Sequence, residues 1–162
     1  MKQQNCPPQV IQHCLAVTTL ALEIAAKLQT RGIKISLPLV EAGGLLHDLG
    51  RAKSHEVNHG LIGVQMGKTL GLPDSLLDII KRHVGAGITH QEAQWLKWPQ
   101  DNYIPTTIEE KVVCYADKRI DNDRVVPIDE EIRKLQQRGY PEAAERVRRL
   151  HVEITQLLGE QP

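Results

Sequence analysis

The sequence predicts an all-α fold, a compact helical bundle. Three observations predict it. Aromatic residues make up 3% of the 162 residues and Phe is absent, so the core must be built from Leu, Ile, Val and Ala. Sandwiches and barrels lean on aromatic and β-branched residues that this chain lacks in number. Apolar residues reach 41%, too many for a disordered chain and enough for one core. The apolar positions also recur at helical spacing along most of the chain.

The elements follow in order. Pro7 and Pro8 can open a first helix, because a proline in the first turn removes no hydrogen bond. Val10, Cys14, Val17, Ala21, Ile24 and Leu28 then form one stripe, and Gly32 stops it. A second helix is expected from about Pro38 to Gly50, nearly all apolar and therefore central. RAKSHEVN is polar and reads as a loop. A third helix runs from His59 to Leu70, ended by Gly71, and a fourth covers LPDSLLDIIKRH with Pro73 in its first turn. GAGITHQEAQWLKWPQDNYIP is irregular, with room for one short helix. Thr106 or Thr107 caps a fifth, since each has a glutamate three residues on. It is expected to run through IEEKVVCYADKRI. Two charged amphipathic helices end the chain, about Asp129–Gln137 and Pro141–Leu158, parted by Gly139. The expectation is one domain over 1–162. A core of about 8–125 carries the chemistry, and packing helices fill about 126–162. The last helix reads as a packing or homodimer face.

Composition excludes several functions. Lys plus Arg equals Asp plus Glu, at 20 each, which leaves no electrostatic footprint for bulk nucleic acid or an anionic membrane. Cys6, Cys14 and Cys114 are scattered and form no CxxC, which argues against a disulfide framework. MKQQNCPPQVIQHC lacks the apolar region of a signal peptide, and no apolar run is expected to span a bilayer. A cytoplasmic protein is expected. No G-x-x-x-x-G-K-[ST] appears, so there is no P-loop.

Seven histidines are the unusual inventory. His13, His47, His59 and His83 fall in or at the ends of helices expected in the core. A buried histidine needs a partner for each ring nitrogen. His47 is followed by Asp48 at the end of an apolar run. An imidazole and a carboxylate there can converge on one ion, and the mixed donor set suits Mn, Fe, Co, Ni or Zn better than Ca, with Mg also possible. His13 and Asp117, on two other helices, could complete the set, as facing helices in bundles do. Arg51 and Lys53 follow the pair and are expected at the mouth of the site, where Arg can grip a phosphate with two nitrogens. Lys118 is a weaker candidate beside Asp117, and Arg82 and Arg124 are weaker still. His55 is expected in solvent and His151 on the surface. His90 is expected either to cap a short helix or to line the pocket. Trp95 and Trp98 read as a small packed cluster or as a lid that stacks a nucleobase. Gly43-Gly44 reads as a close helix contact. No cysteine sits in a nucleophile motif.

At these residues the chain resembles the HD-domain phosphohydrolases. His13, then His47-Asp48, then Asp117 match the family's H…HD…D signature, and the likeness runs from about His13 to Asp123. EAGGLLHDLGRAKSHEVNHGLIGVQM looks like the HDIG subtype. His59 and His83 fall where the two-metal branch carries its intermediate histidines, a branch that includes symmetrical dinucleoside-tetraphosphate hydrolases. DNYIPTTIEEKVVCYADKRID is similar to small archaeal-type HDIG proteins. The resemblance implies an all-α HD fold with a central metal site. It implies one divalent ion on His13, His47, Asp48 and Asp117, and a second on His59, His83 and a shared Asp48. It also implies hydrolysis of a phosphate ester, with a nucleotide-like substrate, by a water activated between the metals. Asp48, Arg51 and Lys53 are the expected catalytic residues, and Arg51, Lys53 and Lys118 the expected phosphate contacts. Val84 follows His83 and no GYP motif appears, which argues against cyclic-di-GMP. Two alternatives stay open. One is an oxygen-using di-iron enzyme on the same ligands, and the other is a regulatory module without turnover.

Overall fold

Helix α1 (Pro8–Thr30) is the longest element in the computed structural model, which describes residues 1–161. Its inward stripe is the expected one, from Val10 to Leu28, and it ends at Arg31 with Gly32 at φ +82°. By length and composition α1 could cross a membrane, with a hydropathy of 1.3 over 18 residues. That corrects the expectation that no apolar run is long enough. Here the stripe is packed against α2 (Leu37–Leu46), α6 (Ile108–Lys118) and α8 (Pro141–Leu158) instead.

Ser36 caps α2 by accepting a hydrogen bond from the Leu39 N–H. The helix stops at Leu46, short of the expected Gly50. The chain turns at His47 and Asp48 and continues as a 3-10 turn over Leu49–Ala52. Gly50 shows why it turns. A Cβ there would overlap the His59 carbonyl oxygen and stand 2.7 Å from the Gly63 nitrogen. The turn is thus seated against α3 (His59–Thr69) at backbone distance. Helix α4 (Asp74–Arg82) packs on α3, and a short α5 (His90–Trp95) follows. Thr89 and Glu92 form a capping box for α5.

Thr107 caps α6, as one of the two expected alternatives. The Glu110 carboxylate does not close a box on it. It accepts from the Thr106 N–H and from Arg82 instead. Helix α6 ends at Lys118, two residues before the expected Ile120. Ile120–Asp121 pairs with Arg124–Val125 as a small antiparallel hairpin, β1 and β2. Its turn holds Asn122 at φ +58°, a left-handed conformation that Asn tolerates. Helices α7 (Ile128–Gln137) and α8 match their expected ranges within a residue. The fold class is all-α as expected, with that hairpin the one sheet among the described residues.

The main apolar cluster draws on α1, α2, α4, α6, α7 and α8. Val17, Val40, Val112, Val113, Val147 and Ile154 are all fully buried in it. The C-terminal helices are therefore part of the same core that carries the N-terminal ones.

Candidate metal centre

Close packing brings the two halves of the H…HD pattern together. A Cβ on Gly44 would stand 2.8 Å from the Thr18 Cα, so α1 and α2 meet there backbone to backbone. The small Gly43-Gly44 contact is as expected. It sets His47, at the end of α2, beside His13 in the second turn of α1, with ring centroids 5.5 Å apart. His59 is the first residue of α3, His83 follows the last residue of α4, and Asp117 lies in the last turn of α6. A cavity of about 200 Å³ opens onto His13, Asp48, His59, His83 and Asp117, lined also by Arg51, Lys118 and Glu131, with His47 buried behind it. His47, Asp48, His59 and His83 are buried, and His13 is partly exposed.

Each of the four histidines turns Nδ1 to a backbone carbonyl. His47 Nδ1 is 2.8 Å from the Gly44 oxygen, His59 Nδ1 2.7 Å from Glu56, His83 Nδ1 2.8 Å from Ile80, and His13 Nδ1 3.3 Å from Asn122. A carbonyl only accepts, so these contacts assign the proton to Nδ1 and leave Nε2 with its lone pair. Those lone pairs all point inward. His59 and His83 oppose each other, Nε2 to Nε2, at 3.0 Å. They stand 3.2 and 3.3 Å from Asp48 Oδ1. His13 Nε2 is 3.0 Å and His47 Nε2 3.6 Å from Asp117 Oδ1. Acceptors therefore face acceptors. His47 Nε2 and Asp48 Oδ1 are buried without any hydrogen-bond partner among the described residues. Such an arrangement is costly unless a cation fills it. Metal-ligating histidines characteristically donate their other N–H to a carbonyl, as all four do here.

The carboxylates and imidazoles bear strongly on one another. Burial alone would lower His47, but Asp48 and Asp117 beside it raise it. Burial holds His83 neutral, down to about 4. Burial would raise Asp48 and Asp117, yet the His47, His59 and His83 imidazoles beside the first hold it well below the usual carboxylate range, and Lys118 and His13 hold the second there. Two donor groups result, His13–His47–Asp48 and Asp48–His59–His83, and Asp48 belongs to both. Asp117 joins the first through its contacts to His13 and His47. The set fits one or two divalent transition metals, with four imidazole nitrogens and two carboxylates. Burial pushes the Cys114 thiol up to about 12 and the Cys14 thiol higher still, so neither is a ready nucleophile.

The other expected residues divide. Arg51 donates from Nε to Asp48 Oδ2 at 2.9 Å and lines the cavity. Lys118 Nζ lies 2.6 Å from Asp117 Oδ2 and lines it too. Lys53 is exposed and lines neither this cavity nor the larger one beside it, so the structure does not bring it to the centre. The 3-10 turn rotates it away from Arg51. Arg82 is structural, paired with Glu110 and Asp78, and Arg124 is exposed on β2. His151 is not a free surface residue. Its Nδ1 lies 2.8 Å from the Tyr115 hydroxyl, and the two rings stack. His90 is exposed, and Thr89 caps α5 instead of it. His55 is exposed at the rim of the larger cavity. The tryptophans split: Trp98 packs edge-on against Tyr103, while Trp95 is 74% exposed.

Glu131 was not foreseen. It lies in α7 on the centre's wall, and burial raises its carboxyl while Lys118 opposes. A signal existed. Glu131 is three residues after Ile128 and four before Leu135, on the helix's inward face. The larger cavity, about 570 Å³, adjoins the first and shares Arg51, His59, Val84, Lys118 and Glu131 with it.

A family model described as HD domain matches residues 10–120. An uncharacterised protein of Methanocaldococcus jannaschii is 40% identical over 94% of this chain and 92% of its own length. The tRNA (cytidine(56)-2'-O)-methyltransferase of Picrophilus torridus is 35% identical over 98% of this chain, which spans only 45% of that protein. Among solved structures, the HD domain of the L. monocytogenes phosphodiesterase PgpH, in complex with cyclic-di-AMP, superposes with a TM-score of 0.59. That match covers 96% of this chain and 92% of the other at 17% identity, which is a likeness of fold.

Proposed function

The chain belongs to the HD domain family, and on that premise we propose that it is a metal-dependent phosphohydrolase acting on a phosphate ester of the nucleotide kind. One observation carries the reading. Four Nε2 lone pairs and two carboxylates converge where no donor hydrogen from the protein satisfies them all. Divalent cations held there would supply Lewis acidity, lowering the pKa of a water and offsetting charge that gathers on phosphoryl oxygens.

The chain's own residues do the rest. Asp48 sits between both donor groups and fixes their spacing. The Nδ1 contacts lock each imidazole in the tautomer and orientation that ligation needs. Arg51 and Lys118 stand at the border of the two cavities, and each is already turned toward a carboxylate. A phosphoryl group passing from the larger cavity to the donors meets these two cations on the lining that both cavities share. Arg51 can offer it a planar fork and Lys118 a mobile point charge. Burial of the floor keeps the effective dielectric low, so these interactions are stronger than they would be in water.

The test is metal analysis of the full chain, followed by phosphate release from a panel of nucleotides, dinucleotides and cyclic-di-AMP with Mn, Fe, Co, Ni or Mg supplied. Bound transition metal and release from at least one nucleotide are expected. No release from any ester would overturn the proposal. Oxygen uptake by ferrous-loaded protein without release would favour the di-iron alternative.

A further inference from the structure

Exposed apolar side chains are not scattered over this molecule. Among the described residues, the large exposed hydrophobics are Leu15, Val57, Leu70, Trp95, Leu96, Val125 and Tyr140. Four of these seven, Val57, Trp95, Leu96 and Tyr140, line the 570 Å³ cavity. Isolated exposed apolar groups are normal, but a cluster of them around one concavity marks a binding site. Trp95 is 74% and Tyr140 59% exposed, so neither ring is committed to the core. They come from separate elements, Trp95 from the end of α5 and Tyr140 from the residue before α8. The bend at Gly139, φ +82°, delivers Tyr140 to the cavity wall.

We propose that Trp95, Leu96 and Tyr140 form the specificity element of the site, stacking the planar aromatic base of a nucleotide whose phosphate lies at the metal centre. This rests on the hydrolase reading above and adds to it what the non-phosphate half of the substrate must be. The cavity adjoins the donor groups through Arg51, Lys118 and Glu131, so one molecule can reach both. Its volume lies within the range of small-molecule sites. Arg51 and Lys118 line both cavities, while Trp95 and Tyr140 line the larger one alone, together with Arg138 and with Arg146, which is paired with Glu92. Aromatic side chains accept any base through its π-face, so the element selects for a base without choosing among bases. Trp95 and Leu96 lie within residues 10–120, which match the family, and Tyr140 lies beyond them, so the element joins that segment to the C-terminal helices.

The experiment compares adenosine 5′-phosphate with ribose 5-phosphate, which keeps the sugar and phosphate and lacks the base. Two readouts are used, kcat/KM for phosphate release and quenching of tryptophan fluorescence. The full chain should favour the nucleotide, and Trp95→Ala or Tyr140→Ala should cut that preference roughly tenfold. Quenching should follow the nucleotide alone and vanish in Trp95→Ala, where Trp98 remains as an internal reference. Leu15→Ala, an exposed apolar change on α1, should leave the preference as it is. Equal kcat/KM for both compounds, unchanged in the variants, would overturn the specificity element while hydrolysis stands. Quenching by the nucleotide alone, without release from either compound, would keep the base site, and the hydrolase reading would fall only if the full ester panel also gave no release. If Trp95→Ala alters the sedimentation coefficient but not the preference, the patch is a contact between copies of the chain and the proposal is overturned.

Discussion

The floor and the wall of the site are built on different principles. The floor is the metal centre, about 200 Å³, where buried donors are each fixed by a second bond to the backbone. The wall encloses about 570 Å³ and is assembled from α5, α7, the segment before α8 and α8 itself. Apart from His59, which it shares with the floor, its side chains include exposed rings and ion pairs in place of carbonyl-locked imidazoles. The difference teaches that two tasks have been separated. Holding charge needs rigid, buried, over-determined donors, and choosing a substrate needs accessible surface that can vary without disturbing them.

The largest effect should come from the residue that both donor groups share. Asp48→Asn keeps the shape and removes the charge. Metal per chain should fall at both groups, and turnover should drop at least ~100-fold, since even outer partners of metal ligands can cost that much. Metal analysis and phosphate release check it, with circular dichroism to show the helices intact. Two ions retained per chain would break the picture of a shared carboxylate. Next comes the brace that holds the floor's helices in register. Arg82, beside His83, donates to both Glu110 oxygens at 2.8 and 3.0 Å, and Glu110 shares α6 with Asp117. Glu110 is only 4% exposed. Arg82→Gln leaves that carboxylate buried without its cation, which should cost about 3–5 kcal/mol in urea unfolding. A loss under about 1 kcal/mol would mean that packing alone sets the floor.

The floor was legible in the sequence and the wall mostly was not. His13, His47, His59 and His83 stand out by type, as histidines in or at the ends of core helices, and Asp48 by its place after an apolar run. Asp117 lies in a charged helix, and the likeness to a known family was needed to join it to them and to give His59 and His83 a second ion. The helix ranges were legible because glycines and prolines punctuate them. The end of α2 was not, since it is set by the approach of Gly50 to the His59 carbonyl, a contact between elements. Lys53 was misplaced for the same reason. The 3-10 turn that carries Arg51 inward carries Lys53 out. Trp95 and Trp98 are alike in sequence, and only tertiary packing separates the exposed ring from the one against Tyr103.

A finer comparison lies within the floor. His83→Ala and His13→Ala each remove one nitrogen from a different donor group. Each should lower the metal content by about one ion per chain, and the double variant by about two, if the two groups bind separately. Equal and complete loss in either single variant would show that the groups act as one site.

The smallest effect should fall on the wall. Glu92 accepts from the Thr89 N–H at 2.7 Å and from Arg146 at 3.0 Å, tying α5 to α8. Burial alone would raise its carboxyl, but the Thr89 bonds and Arg146 hold it below its ordinary value of 4.5. A carboxyl lowered in the folded state stabilises above its unfolded pKa, and that stability is lost as pH falls through the folded value. Glu92→Gln should therefore cost about 1.5–3 kcal/mol at pH 7, the range for one hydrogen bond to a charged group. The gap between variant and parent should narrow as unfolding is measured below pH 4.5. A gap that stays constant down to pH 3 would mean that the charge does not tie α5 to α8, and that shape alone holds Trp95 and Leu96 over the cavity. A narrowing gap means the wall keeps its brace throughout the neutral range, where the histidine donors of the floor would hold their ions.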